Sequence, residues 1–252
     1  MTEENEEQAQ FTPQDEWDFY PCRVDEEPAS ILINLRFLYE DPREENDHVH
    51  HAFLVMLDRG PHGIGTPAEM ERLAPIEDAI FDRADKAGAQ PVGRLRTQGV
   101  WQLSAYGPED LPWASWVEEI AGADAKVQTM SDSEFEYLNE FLLPEPERYQ
   151  WIQNRRVCDQ LKKQGDEASL PRPVDHFVRY ENEVPAGLID AIKALGFEVT
   201  DTGEGLECIK VHDVQLDTVH ELVMDLAHVA EEHDADYDGW GSPVTKSTDL
   251  AN

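Results

Sequence analysis

The stretch VDHFVRYENEVPAGLIDAIKALGFEVTDTGEGLECIKVH, Val174 to His212, decides the fold. VDHFVRYE alternates apolar and polar residues, the period of a half-buried strand. Val184, Leu188, Ile192 and Leu195 then recur at helical spacing, with Pro185 near the start and Gly196 as the stop. FEVTD, from Phe197, reads as a short strand. Gly203 and Gly205 turn the chain, and LECIKVH, from Leu206, returns. Working forward, Leu216, Val219, Val223, Leu226 and Ala230 make one apolar stripe, and ADYDGWG, from Ala235, is a last strand ending in turn residues. The order is β-α-β-β-α-β, the ferredoxin-like pattern.

The same order emerges upstream. WDFYPCRV and ASILINLRF form an opening hairpin, and HHAFLVMLD, from His50, is a strand. Thr66-Pro67-Ala68-Glu69 is a capping box with proline at the first helical position. That helix carries Met70, Leu73, Ile80 and Ala84, is expected to kink at Pro75, and stops at Gly88. VGRLRTQ and VWQLSAYG pair around Gly99. Pro112 opens a helix with Trp113, Trp116, Val117 and Ile120 on one face, and AKVQTM, from Ala125, follows as a strand. Ser131-Asp132-Ser133-Glu134 caps a final helix bearing Phe135, Leu138 and Leu142. The expectation is an α+β protein of two tandem ferredoxin-like sandwiches, with antiparallel sheets and helices on one face of each.

Proline and charge in LLPEPERYQ (from Leu142) and QGDEASLPRP (from Gln164) mark the break between them. The expected organisation is an acidic tail over 1–11, an α+β domain over 12–145, a linking helix and loop over 146–172, a second domain over 173–245, and a tail over 246–252.

The net charge is −34, from 54 acidic and 20 basic residues. Acids outnumber bases 31 to 10 in residues 1–143 and 23 to 10 in 144–252, so the charge belongs to the whole surface. Such a surface opposes direct binding of nucleic-acid phosphates, which need Lys and Arg to replace counterions, and of anionic lipid. It favours a basic protein partner. The three cysteines are far apart and form no CxxC pair, which fits reduced thiols in a cytoplasm. The N-terminus carries no signal-peptide pattern, and no window is apolar enough for a membrane span.

Candidate chemistry is sparse. His48 and His50 share a face of a strand and, with His51 beside them, offer metal-ligand spacing. The competing reading is a polar strand entry after EDPREEND. The glycines of GPHGIGTP precede a helix but complete no phosphate-binding motif. Ser104 and Ser242 lack a nucleophile elbow. No cofactor and no catalytic residue is expected. His220 reads as a half-buried, satisfied histidine. The remaining candidate is Asp236-Tyr237-Asp238-Gly239-Trp240-Gly241, an aromatic between glycines in an acidic setting, the chemistry of a partner-binding hot spot. Against it stands a plain turn whose Trp covers the sheet edge.

From Val174 to Val244, the element order, the two helical stripes and YDGWG resemble the family called regulator of ribonuclease E activity B. WDFYPCRVDEEPASILINL and TQGVWQLSAYG resemble an uncharacterised bacterial domain often joined to it. The resemblance implies a small acidic cytoplasmic protein without catalytic residues that binds ribonuclease E and damps it. This chain ends in SPVTKSTDLAN, without the long acidic tail of some members, and adds the N-terminal domain. Two other functions compete: a metal-binding protein or enzyme using His48 and His50, and a small-molecule sensor, since paired ferredoxin-like domains often form ligand sites.

Overall fold

The computed structural model describes residues 14–249. The acidic stretch expected as a tail over 1–11, and the end of that expected over 246–252, lie outside the described residues. The chain divides into two compact units between Pro144 and Glu145.

The first unit is a six-stranded sheet. Its strands are β1 (Trp17–Val24), β2 (Glu27–Asn34), β3 (His48–Val55), β4 (Gln90–Thr97), β5 (Val100–Gly107) and β6 (Lys126–Ser131), in the order β1-β2-β4-β5-β3-β6. Every pairing is antiparallel. The β4–β5 hairpin turns through Gln98 and Gly99, both at positive φ, as a two-residue turn matched to strand twist requires. Helix α1 (Pro67–Lys86) is capped by Thr66 Oγ1, which accepts from the Glu69 backbone N–H, and α2 (Trp113–Ala121) begins after Pro112. α1 runs through Pro75 as one helix. Leu73, Ile80 and Ala84 pack with Leu54, Trp101, Leu103, Trp113 and Val117 in a closed core.

The opposite face of this sheet is not free. Phe135 stands at positive φ, and the segment after it is one π-helical stretch, Tyr137–Leu142. The Asp132 carboxylate caps it by accepting from the Glu136 and Tyr137 N–H groups. Leu138 and Leu142 are fully buried, and Tyr20 Oη donates to the Leu142 carbonyl at 2.8 Å. An apolar one-turn segment thus replaces the solvated face expected from the sequence, because Gly93 leaves room for Leu142 against β4.

The second unit contains α3 (Pro146–Lys163), β7 (Arg172–Arg179), α4 (Leu188–Ala194), β8 (Glu198–Asp201), β9 (Leu206–His212), α5 (Leu216–Glu232) and β10 (Asp236–Gly241). Its antiparallel sheet has the order β10-β7-β9-β8. α3 packs into this unit: Leu161 joins Val174, Val214, Val219 and Val223 in one cluster. A second cluster joins Leu188, Ile192, Phe197, Leu206, Cys208, Leu226 and Ala230. The outward face of β7 and β9 is open. Phe177 is 40% and Val211 64% exposed. Among the described residues no helix is long and apolar enough to cross a membrane.

Candidate protein-binding surface

The acidic-aromatic hexapeptide forms β10, an edge strand. On a regular strand Tyr237 and Trp240, three residues apart, would point to opposite faces. The register shifts between them: Tyr237 opposes Val178, Gly239 opposes Phe177 and Trp240 opposes His176. Asp238 is the extra residue of a β-bulge, and Gly239, at φ +107°, absorbs the bend. The bulge turns both aromatic rings toward the helices.

Trp240 is therefore held inward. Its Nε1 donates to Asn154 Oδ1 of α3 at 3.0 Å, and its ring lies near-parallel to His176, with centroids 6.5 Å apart. Asn154 is fully buried, and its amide also meets His220 Nδ1 on α5 at 3.2 Å. An indole N–H can only donate, so Asn154 Oδ1 faces Trp240 and Nδ2 donates to His220. One amide thus ties α3, α5 and β10 together.

Beside it lies a buried chain of polar groups that strand periodicity alone did not single out. His212 Nδ1 lies 2.6 Å from the Asp213 carbonyl, which can only accept. His212 Nδ1 therefore donates, and its Nε2 accepts from His176 Nε2 at 3.1 Å. His176 Nδ1 in turn accepts from the Tyr237 hydroxyl at 3.0 Å. Burial lowers the His176 pKa to about 3 and also lowers that of His212, so both rings are neutral near pH 7. The only sequence signal for this chain was two histidines at inward-facing strand positions.

What β10 turns outward is small. Gly239 and Gly241 lie opposite Phe177 and Asp175, and a Cβ at either glycine would touch nothing within 4 Å. The aromatic left on this face is Phe177, with Pro173 and Val211 near it and Asp175, Glu207 and Glu198 around it. Asp238 forms an ion pair with Arg179 at 2.9 Å. The result is an apolar patch with an acidic rim beside a free strand edge, a geometry suited to strand addition or to a basic, partly apolar partner.

The histidines of β3 are each engaged. His48 Nδ1 lies 2.7 Å from Asp47 Oδ1. His50 Nε2 donates to the Pro108 carbonyl at 3.1 Å, and its Nδ1 accepts from the Thr129 hydroxyl at 2.9 Å. His51 points to the other face, where Nδ1 meets Ser104 Oγ at 3.0 Å under Tyr137. Burial lowers the His51 pKa to about 4. Among the described residues no group of three or more His, Cys, Asp or Glu is arranged to hold a metal. Burial pushes the Cys158 and Cys208 thiols up to about 11, which keeps them protonated and poorly nucleophilic at neutral pH.

Comparison with known proteins follows the division of the chain. The model of a "Family of unknown function (DUF695)" matches residues 15–143, just over half of the chain. The model of "Regulator of ribonuclease activity B" matches residues 151–242. A regulator of ribonuclease activity B from Alteromonas mediterranea is 34% identical over 110 residues, covering 82% of that protein and 38% of this chain. The chain belongs to both families. A second regulator of ribonuclease activity B, from Shewanella denitrificans, is 28% identical over 105 residues, covering 81% of that protein and 37% of this chain. The crystal structure of an unknown protein from Galdieria sulphuraria aligns over 77% of this chain and 98% of its own at 13% identity and a TM-score of 0.22, too low to carry a structural argument. The match to the regulator family begins inside α3, the helix that supplies Asn154. That helix, expected from the sequence as a connector, falls largely within the matched regulator domain.

Proposed function

We propose that this chain is a non-catalytic, acidic, cytoplasmic regulator that binds a ribonuclease, of the ribonuclease E type, and modulates its activity by protein contact. The match across 82% of the length of a named regulator of ribonuclease activity carries this reading. The geometry supports it. The face of β7 and β9 presents Phe177 and Val211 to solvent, and β10 offers an unpaired edge next to glycines. Ribonucleases carry basic RNA-binding surfaces, and a body of net charge −34 is steered toward them. At physiological salt the Debye length is about 8 Å, so charge accelerates encounter while the apolar patch supplies specificity.

The strand order of the second sheet, and that of β4-β5-β3-β6 in the first, support reading both units as ferredoxin-like, with the β1–β2 hairpin added beside β4. In this reading Asp236, Asp238 and the two glycines contribute from the rim, while Tyr237 and Trp240 hold the strand in place.

The test uses the full chain and purified ribonuclease E. Binding is measured by titration at low and high salt, and RNA cleavage is followed with the regulator added. The expected result is saturable, salt-weakened binding with reduced cleavage, lost in Phe177→Lys with Gly241→Glu. No binding at low salt, or binding indifferent to those changes, overturns the proposal.

A further inference from the structure

The first unit contains a cleft of about 450 Å³ between α1 and the helix-side face of the β1–β2 hairpin. Its walls do not resemble the rest of the surface. Trp17 of β1 and Phe81 of α1 stack at 5.7 Å with 22° between planes, making an apolar wall that joins strand to helix. Around Phe81, α1 presents Asp78, Asp82 and Asp85 at the i, i+4, i+7 spacing of one helix face.

Most lining charges already have partners. Asp15 pairs with Arg36 at 2.7 Å, Glu77 with Arg94 at 3.1 Å and Asp82 with Lys86 at 2.6 Å. Asp78 and Asp85 have no basic partner among the described residues. A second, independent feature is Gln90, which lines the same cleft and is only 7% exposed. Its Oε1 accepts from the Arg43 backbone N–H at 2.8 Å and from Asn46 Nδ2 at 2.8 Å. A backbone N–H requires an oxygen there, so the orientation of the amide is determined. Gln90 Nε2 has no acceptor among the described residues, and since Gln90 lines the cleft this donor is open to a carbonyl that enters it.

We propose that this cleft binds an arginine- or lysine-type cation that carries a carbonyl group. The cationic head lies against Asp78 and Asp85, the alkyl stem runs along Trp17 and Phe81, and the carbonyl oxygen accepts from Gln90 Nε2. The volume falls in the usual range for small-ligand sites, roughly 300–1,000 Å³. Two sources offer this chemistry, a free amino acid and a residue within a basic peptide. The inference does not depend on the ribonuclease reading, which concerns the other unit.

Calorimetric titration of the full chain at low salt tests it, with four probes: free L-arginine, N-acetyl-L-arginine N-methylamide, methylguanidine, and N-acetyl-L-citrulline N-methylamide as a neutral near-isostere. Saturable binding of one or both arginine probes, with none by the citrulline probe, is expected. Preference for the blocked arginine indicates a peptide source, and preference for the free amino acid a metabolite. Asp78→Asn with Asp85→Asn, both exposed and outside the core, weakens binding about tenfold. Gln90→Glu keeps the oxygen that caps Arg43 and Asn46 but replaces the free donor with an acceptor. It lowers the affinity of blocked arginine relative to methylguanidine, about tenfold. Equal binding of the citrulline and arginine probes, absence of saturable binding, or binding unchanged by all of these substitutions overturns the proposal.

Discussion

Trp240 and Asn154 are 86 residues apart in sequence, and the indole N–H of one donates to the side-chain oxygen of the other at 3.0 Å inside the regulator domain. The contact exists because the Asp238 bulge turns Trp240 to the helix side, where α3 carries Asn154. It makes the aromatic of the hexapeptide a structural clamp and leaves the glycines beside it on the outer face.

Replacing Asn154 with Ala leaves the Trp240 Nε1 donor and His220 Nδ1 without their partner in a buried setting. The expected loss is about 2–3 kcal/mol of regulator-domain stability. Trp240→Phe keeps most of the ring contact and loses the hydrogen bond, costing about 1 kcal/mol more than the change in ring size alone. Urea unfolding followed by circular dichroism and fluorescence checks both. Equal stability of wild type and Asn154→Ala contradicts the clamp.

The His176–His212 chain sets a pH dependence. His176 titrates near 6.5 when unfolded and near 3 when folded, so between those values the unfolded state binds the extra proton. Stability contributed by the neutral ring is complete above about pH 6.5 and falls as pH drops toward about 3. The slope from this one group approaches about 1.4 kcal/mol per pH unit within the window. His176→Gln is expected to be less stable at pH 7 but flatter between pH 6.5 and 4. Parallel pH profiles of the two proteins would falsify this account.

Phe177 is exposed on an open sheet, so Phe177→Ala is expected to change stability by less than about 1 kcal/mol while weakening ribonuclease binding by about 1–2 kcal/mol. Gly241→Glu places a side chain where a Cβ meets nothing within 4 Å, so the fold tolerates it while the outer face is blocked. Thermal melts paired with titration against the ribonuclease separate the two effects. A large stability loss with intact binding contradicts the assignment of this face.

In the first unit, Glu77 accepts from Arg94 with both oxygens at 3.1 Å and from Trp101 Nε1 at 2.7 Å. Burial pushes its carboxyl pKa up, against the opposing pull of Arg94 and the indole. Glu77→Ala strands a mostly buried guanidinium and an indole N–H, for an expected loss of about 3–5 kcal/mol. Glu77→Gln keeps an acceptor and costs less. Differential scanning calorimetry resolves the two, since the regulator unit serves as an internal reference.

Much of this architecture was legible in the residues. The alternation in VDHFVRYE and LECIKVH, the stripe from Leu216 to Ala230 and the Thr66-Pro67 start each encode a local period or cap, and each element forms where its pattern lies. Pro75, the ninth residue of α1, lies inside a helix that continues past it. One feature departed from expectation for a physical reason. The segment after Asp132 is a short π-helical cover on a sheet face, where an α-helix was anticipated, because Phe135 takes positive φ and delays the start.

The sequence by itself determined the order of strands and helices, the two-part organisation and the acidic surface, since these depend on residue periodicity, punctuation and charge counted along the chain. Only the tertiary structure decided which side of β10 Trp240 takes, which histidines meet, and where Gln90 leaves a donor unused. A single bulged residue inverts a strand's faces, and hydrogen bonds between positions 36 to 86 residues apart follow from register and packing, which no local pattern carries.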